Sequence, residues 1–134
     1  MLEIAMRKAC RMVLRGEVMK VARAHYDFSV HGGAISTISL VKTIPAHATI
    51  TGIRTVELTA VAGTGTIQFK AGSTGLTAAL AVAAFTGVDV HALSTVDGIK
   101  VAVESDLKFV IASNTITAGH LDIFVEYLEG NPAD

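Results

Sequence analysis

Two hydrophobic patterns divide the chain. Over residues 2–15 apolar side chains recur every three or four positions, and this spacing predicts an amphipathic helix. From Ala24 onward apolar and polar residues alternate, as they do in strands with one buried face. We therefore predict an N-terminal basic amphipathic helix or arm over residues 1–20, a β-sandwich domain over residues 21–130 and a loose tail over residues 131–134.

The alternation predicts which side chains of each strand face the core. The predicted inward sets are Tyr26, Phe28 and Val30; Val56 and Leu58; Ile67 and Phe69; Ile99, Val101 and Val103; Leu107, Phe109 and Ile111; and Leu121, Ile123, Val125 and Tyr127. Outward positions of the third strand are Thr55, Glu57 and Thr59. The alternation slips near Gly52, where we expect a β-bulge.

Turn residues separate these strands and indicate the fold class. Predicted turns or loops are Gly32-Gly33, Ile44 to His47, Gly63 to Gly65, a hairpin at Asp97-Gly98, Ser105-Asp106, and Asn114 to Gly119. Residues 76–86 are assigned to a strand because their neighbours are strands, although alanine favours a helix. About eight or nine short strands joined by such turns predict an all-β protein. We expect a single β-sandwich, specifically a jelly roll of about eight strands.

Composition and charge exclude several classes of protein. Hydrophobic residues make up 51% of the chain and charged residues 17%, so the chain is not intrinsically disordered. No apolar stretch approaches the ~20 residues of a membrane-spanning helix. Arg7, Lys8, Arg11 and Arg15 place much of the positive charge before the sandwich, which is itself mildly acidic. We therefore expect neither direct nucleic-acid binding nor a membrane partner.

Residues 1–18 allow two interpretations. They form either an arm that lies on a partner, or an upstream leader, with translation beginning at Met19. The leader interpretation would also account for the basic charge and the single cysteine, Cys10, in this segment. Because there is one cysteine, no intramolecular disulfide and no cysteine-based zinc site is expected.

The chain lacks the common catalytic motifs. It has no G-x-S-x-G elbow, no H-E-x-x-H pair and no phosphate-binding loop. His25, Asp27 and His31 are predicted to share one strand face, with His31 too far from His25 to share a metal ion. We predict no enzymatic activity, no cofactor and no metal site.

The outward positions of the predicted strands indicate contacts between subunits. They are rich in threonine and alanine and poor in charge, unlike most free surfaces. Val110, Phe124 and Leu128 are predicted to face away from the core. Cover by a second sheet or a loop of the same chain is the alternative. The candidate interface residues, for a homo-oligomer that is a dimer or a trimer, are Arg7, Lys8, Arg11, Arg15, Val110, Phe124 and Leu128.

Three segments resemble small virion proteins of tailed bacteriophages. They are ARAHYDFSVHGGAISTISL from Ala22, TIPAHATITG from Thr43 and TAGHLDIFVEYL from Thr117. The chain is similar to head decoration or cement proteins with jelly-roll or related β-sandwich domains. The resemblance covers residues 22–129 and has no counterpart for residues 1–18.

That resemblance implies a virion protein on the capsid surface, assembled in the host cytoplasm. Its partner would be the major capsid protein, and it would act as an oligomer that bridges capsomers and stabilises the shell. The basic arm could then clamp onto the shell. The alternative is a receptor- or glycan-binding appendage of the head or tail, against which the absence of tryptophan argues.

Overall fold

The computed structural model describes residues 19–95 and 97–129. The predicted helix, the basic residues Arg7, Lys8, Arg11 and Arg15, and the predicted tail lie outside the described residues. The strands are β1 (Met19–Asp27), β2 (Ser36–Ile44), β3 (Thr49–Gly63), β4 (Thr66–Ala71), β5 (Thr74–Gly75), β6 (Leu80–Ala81), β7 (Val88–His91), β8 (Ile99–Lys100), β9 (Ser105–Ala112) and β10 (Ile116–Leu128). One short helix, α1 (Phe28–His31), follows β1. Among the described residues no helix is long and apolar enough to cross a membrane.

The strands form two antiparallel sheets. The first sheet has the order β1-β10-β3-β7, with β8 also paired to β3. The second has the order β2-β9-β4-β5, with β6 also paired to β4. The all-β sandwich predicted from the alternation is therefore confirmed.

The pairing is nested along the chain. The first strand pairs with the last, β2 with β9, β3 with β7 and β8, and β4 with β5 and β6. This long hairpin is then rolled, so that β10 lies beside β3 and β9 beside β4. Such nesting and rolling define the jelly roll, in agreement with the predicted topology.

The inward faces of the two sheets meet in one hydrophobic core. Tyr26 of the first sheet stacks on Phe109 of the second, with ring centroids 4.1 Å apart and planes 8° apart. Phe69 meets the edge of Phe109 at 5.7 Å. The predicted inward sets of β4, β9 and β10 are buried, apart from the partly buried Tyr127, which confirms their phase. The stacked Tyr26–Phe109 pair therefore joins the two layers, and the edge-to-face pair packs within the second sheet.

The first strand ends earlier than predicted. It stops at Asp27, whose carboxylate accepts hydrogen bonds from Ser29 N at 3.0 Å and Ser29 Oγ at 2.7 Å. This cap starts α1, so the prediction that Phe28 and Val30 face the core is wrong, and both are exposed. The Tyr26 hydroxyl donates to Gly32 O at 2.6 Å and fastens the returning chain to the core.

The register of β3 with β10 shifts at four places, and two of these shifts bear on the predicted faces of β3. Near Gly52 the register with β10 skips Thr51, which confirms the predicted bulge. A second bulge skips Leu58, and the Glu57 carboxylate accepts the Val61 N–H there at 2.6 Å. As a result Thr55 is 0% exposed while Leu58 is exposed, the reverse of the prediction. Because side chains alternate with period two, a single inserted residue moves the following side chains to the opposite face.

Five other local predictions are wrong. Residues 76–86 form only the two-residue β6 and a short 3-10 turn at Val82–Ala84. Gly98 lies in a turn, but β7 and β8 both pair with β3 and form no hairpin with each other. Ser105 and Asp106 begin β9, and Ile116 begins β10. Val103 is exposed in the loop between β8 and β9.

A close backbone approach at Gly33 supplies a stability test. The Gly33 carbonyl accepts the Ile116 N–H at 2.8 Å, and a β-carbon on Gly33 would overlap the Ile116 carbonyl oxygen. Gly33→Ala should therefore lower the free energy of unfolding by at least about 2 kcal/mol in urea titrations.

A matched control for that variant is Gly52→Ala. There the added β-carbon would meet the flexible Glu126 carboxylate at 3.4 Å. We expect a change below about 1 kcal/mol for this control. Equal losses in the two variants would contradict the assigned contact at Gly33.

Candidate interaction surface

The outward-facing candidates lie on two different faces of the sandwich. Phe124 and Leu128 are on the outer face of the first sheet, and Val110 is on the outer face of the second. Each is partly exposed; Val110 and Phe124 alternate with buried neighbours, whereas both neighbours of Leu128 are themselves partly exposed. The structure therefore does not gather them into one patch, and their role in an interface stays a prediction.

The pairing registers align side chains in rows across the first sheet. One row holds Arg23, Phe124, Arg54 and Val90. The neighbouring row holds His25, Asp122, Val56 and Val88. We call these two rows, together with Glu126, the first-sheet outer face.

Charges on the first-sheet outer face are paired within the face. Arg23 Nη2 lies 2.8 Å from Asp122 Oδ2, and Arg54 Nε lies 3.2 Å from Glu126 Oε1. The Arg23 guanidinium also sits 5.7 Å from the centre of the Phe124 ring. Both arginines are more than half exposed, so these pairs add little to folding stability. Their effect is to balance the charge of the face.

Two exposed valines extend this face at the edge strand β7. Val88 is 76% exposed and Val90 is 71% exposed, while Asp89 and His91 between and beside them point inward. This reverses the usual arrangement of apolar and polar residues on a strand. The alternation of apolar and polar residues over residues 88–91 is visible in the sequence. The usual rule that apolar side chains face inward, however, would place Val88 and Val90 in the core. Exposed apolar side chains beside balanced charges are typical of protein contact sites.

The outer face of the second sheet has a different character. Thr37, Val110 and Gln68 share one row, and Ser39, Lys108 and Lys70 share the next. Gln68 Nε2 donates to Thr77 O at 2.9 Å, so the segment after β5 covers part of this face. Two neighbouring lysines make the face less suited than the first-sheet outer face to a contact with a second copy.

Thr55, His91 and Asp89 lie together and are of residue types that occur in catalytic sites. Thr55 Oγ1 lies 2.8 Å from His91 Nε2, and Asp89 is adjacent to His91. The Asp89 carboxylate, however, accepts from Thr86 N at 2.8 Å and Thr86 Oγ1 at 2.6 Å. These hydrogen bonds lower the pKa of Asp89. Since Thr55 is 0% exposed, no substrate reaches its hydroxyl, and the group serves as a hydrogen-bonded link within the core.

Three other histidine side chains lie closer together than the sequence predicted. Helix α1 turns the chain back, so His31 lies 5.8 Å from His25 between ring centroids, and His120 lies 6.4 Å from His25. His31 Nδ1 accepts the Asp27 N–H at 3.0 Å, which places the ring proton on Nε2 and leaves no lone pair there for a metal. Within the described ranges no three histidine, cysteine or acidic side chains form a group that could hold a metal ion.

The comparisons with known proteins bear on the fold. No protein-family description and no curated protein matches the sequence. A chain of the acidic stable capsid structure of Helicobacter pylori bacteriophage KHP30 matches with a TM-score of 0.55 and 13% identity, over 83% of this chain and 87% of that chain. A chain of the cyanophage Pam1 capsid asymmetric unit matches with a TM-score of 0.57 and 16% identity, over 85% and 86% respectively. This chain therefore shares its fold with proteins of two phage capsids.

The buried imidazole of His91 makes stability depend on pH. Burial lowers the pKa of His91, and the nearby Asp89 offsets this only in part. Below the ordinary histidine value of about 6.5 the unfolded chain takes up a proton that folded His91 resists. We expect the free energy of unfolding to fall as the pH drops from about 6.5 toward the lower pKa of the folded state. In His91→Gln this decrease should be smaller, as measured by urea titrations between pH 7 and 5. Parallel profiles for the two proteins would contradict the assignment.

Proposed function

We propose that the protein is a virion structural protein of a bacteriophage, and specifically a capsid decoration protein. It binds the outer capsid surface as a homo-oligomer, a dimer or a trimer, and bridges capsomers of the major capsid protein. The observation that supports this most strongly is the jelly-roll likeness, over most of both chains, to chains of two phage capsids. The phage-like segments described above point to the same class independently.

A decoration protein would stabilise the shell through the apolar area that it buries and through the several contacts that an oligomer makes. Pressure from packaged DNA pushes capsomers apart, and a bridging protein adds apolar area that must be exposed before they separate. Each Å² of apolar surface contributes about 25 cal/mol before the cost of association is subtracted. Because an oligomer contacts several capsomers at once, a weak contact per copy is sufficient. The exposed valines of the first-sheet outer face are of the kind such contacts use.

The alternative of a glycan-binding appendage has less support from the molecule. Sugar sites commonly present aromatic rings, and here Tyr26, Phe69, Phe85 and Phe109 are buried in the core, while the exposed Phe28 and the partly exposed Phe124 lie on different elements, α1 and β10. The sequence has no tryptophan. The basic arm, with Arg7, Lys8, Arg11 and Arg15, stays a predicted second contact with the shell and lies outside the described residues.

The proposed role predicts the copy number in the virion. We expect quantitative peptide mass spectrometry of purified virions to find hundreds of copies per particle, measured against the major capsid protein. A handful of copies would favour a tail or vertex appendage, and absence from the particle would refute a structural role. The same spectra would show whether the mature chain begins near Met1 or at Met19.

If the first-sheet outer face is the contact between copies, a charge introduced there should weaken the homo-oligomer. Val90→Lys adds a positive charge beside Arg54 and removes apolar contact area, so it should raise the dissociation constant of the oligomer by at least about tenfold. Sedimentation equilibrium measures this constant. Val41→Lys is the control, because Val41 is an exposed valine on the edge strand of the other sheet, 89% exposed against 71% for Val90. A larger effect at Val41 would move the interface to the second sheet.

A further inference from the structure

A histidine side chain binds the last backbone N–H of the edge strand β1. Asp27 ends this strand, and its N–H donates to His31 Nδ1 at 3.0 Å. The bond joins β1 to the last residue of α1, the turn of four residues that follows it. We call this hydrogen bond the Asp27–His31 latch.

Other contacts hold the same turn against β1. The Gly32 N–H donates to Phe28 O at 2.9 Å, and the Tyr26 hydroxyl donates to Gly32 O at 2.6 Å. Burial raises the pKa of Tyr26, so its hydroxyl remains a donor. The His31 ring also stacks on the Tyr26 ring, with centroids 5.7 Å apart and planes 20° apart. A helix this short is not stable alone, so its position depends on these few contacts and on the latch.

The latch and a proton on His31 Nδ1 exclude each other. In the latch Nδ1 is an acceptor, so the ring is neutral and carries its proton on Nε2. An imidazolium has an N–H on both nitrogens and accepts no hydrogen bond. Its Nδ1–H would face the Asp27 N–H, and two donors at this distance repel each other. A protonated ring must therefore turn away from Asp27 N. Histidine side chains ordinarily become protonated near about pH 6.5.

Two further imidazole rings lie beside the latch. The centre of the His25 ring is 5.8 Å from that of His31 and 6.4 Å from that of His120. His25 belongs to β1 and His120 to β10, and His120 pairs with Asp27 in the ladder. Positive charges at such separations repel each other. Protonation of the neighbouring rings therefore adds to the force that moves a protonated His31 away.

Two carboxylates and one guanidinium complete the charged groups on β1 and β10. Arg23 Nη2 holds Asp122 Oδ2 at 2.8 Å, and the Asp27 carboxylate accepts from Ser29 N and Ser29 Oγ. The Ser29 hydrogen bonds are the main reason why the pKa of Asp27 lies below its ordinary value, so this carboxylate stays ionised in mild acid. With neutral rings the group carries one more negative than positive charge. Three protonated rings would reverse this sign.

The third strand of the sheet adds no charge to this group. Val56 and Thr59 of β3 share rows with β10 residues of the group, and both are uncharged. Glu57 lies in the row of the buried Leu121, and its carboxylate accepts the Val61 N–H at 2.6 Å. The acid response of the latch is therefore governed by the groups on β1, α1 and β10.

We propose that α1 is an acid-opened turn, which is released from the end of β1 when His31 is protonated. At neutral pH the latch holds the turn and closes the edge of the strand at Asp27. In mild acid the ring leaves Asp27 N, and the charges on His25 and His120 oppose its return. The Asp27 N–H and more of the Phe28 ring then become accessible to solvent. This device belongs to the sandwich itself and does not depend on the proposed function.

The test measures hydrogen exchange of the Asp27 amide by NMR at about pH 7.5 and about pH 5, corrected for intrinsic exchange rates. Below about pH 6.5 each further pH unit favours the open turn by up to about tenfold. We therefore expect the protection of this amide to fall at least about fivefold in the unmodified protein.

The matched variant is His31→Asn, whose side-chain oxygen lies near the position of Nδ1 and takes up no proton in this range. In it the protection should change less than about twofold. Both proteins keep His91, so any loss of global stability in acid is common to them. His25→Asn removes a neighbouring charge and leaves the latch intact, so this variant should keep the decrease.

The other outcomes decide against the latch or identify its acceptor. Equal decreases in the unmodified protein and in His31→Asn would overturn the proposal, and so would unchanged protection in the unmodified protein. A decrease that is lost in His25→Asn and kept in His31→Asn would assign the acid response to repulsion between rings and would also overturn it. Low protection of the Asp27 amide at both pH values in His31→Asn, with the decrease kept in the unmodified protein, would support the imidazole as the acceptor.

Discussion

The antiparallel ladder around β10 is the constraint on which the rest of the structure depends. This strand pairs with β1 on one side and with β3 on the other, and so joins the two ends of the described chain to its middle. Nested pairing then places β2 beside β9 and β4 beside β9 in the opposite sheet. Because most of these contacts are distant in sequence, no isolated segment could adopt the fold alone.

Departures from regular pairing shape the surfaces. The bulge at Thr51 and the one at Leu58 set the phase of β3, and the Asp27 cap replaces the end of β1 with a helical turn. The Tyr26–Gly32 hydrogen bond holds that turn against the core. Together these features push Leu58 and Val30 outward at one end of the sandwich. The exposure of these apolar side chains is thus a product of strand irregularities as much as of composition.

The surfaces of the described chain differ from its core in the side chains that they offer to a partner. The first-sheet outer face combines internally paired charges with exposed Val88 and Val90, which suits contact with a second copy. The Thr55–His91 pair, the most enzyme-like arrangement in the described chain, is sealed in the core.

The sequence by itself determined the all-β class, the jelly-roll topology, the bulge near Gly52 and the buried faces of β4, β9 and β10, because alternation with period two is a local signal. It also placed Phe124 outward. Tertiary structure alone decided the phase of β3 beyond Gly52, the turn that brings His31 to His25, and the outward orientation of Val88 and Val90. A bulge or cap changes the phase by one residue, and whether it forms depends on partner strands far away in sequence.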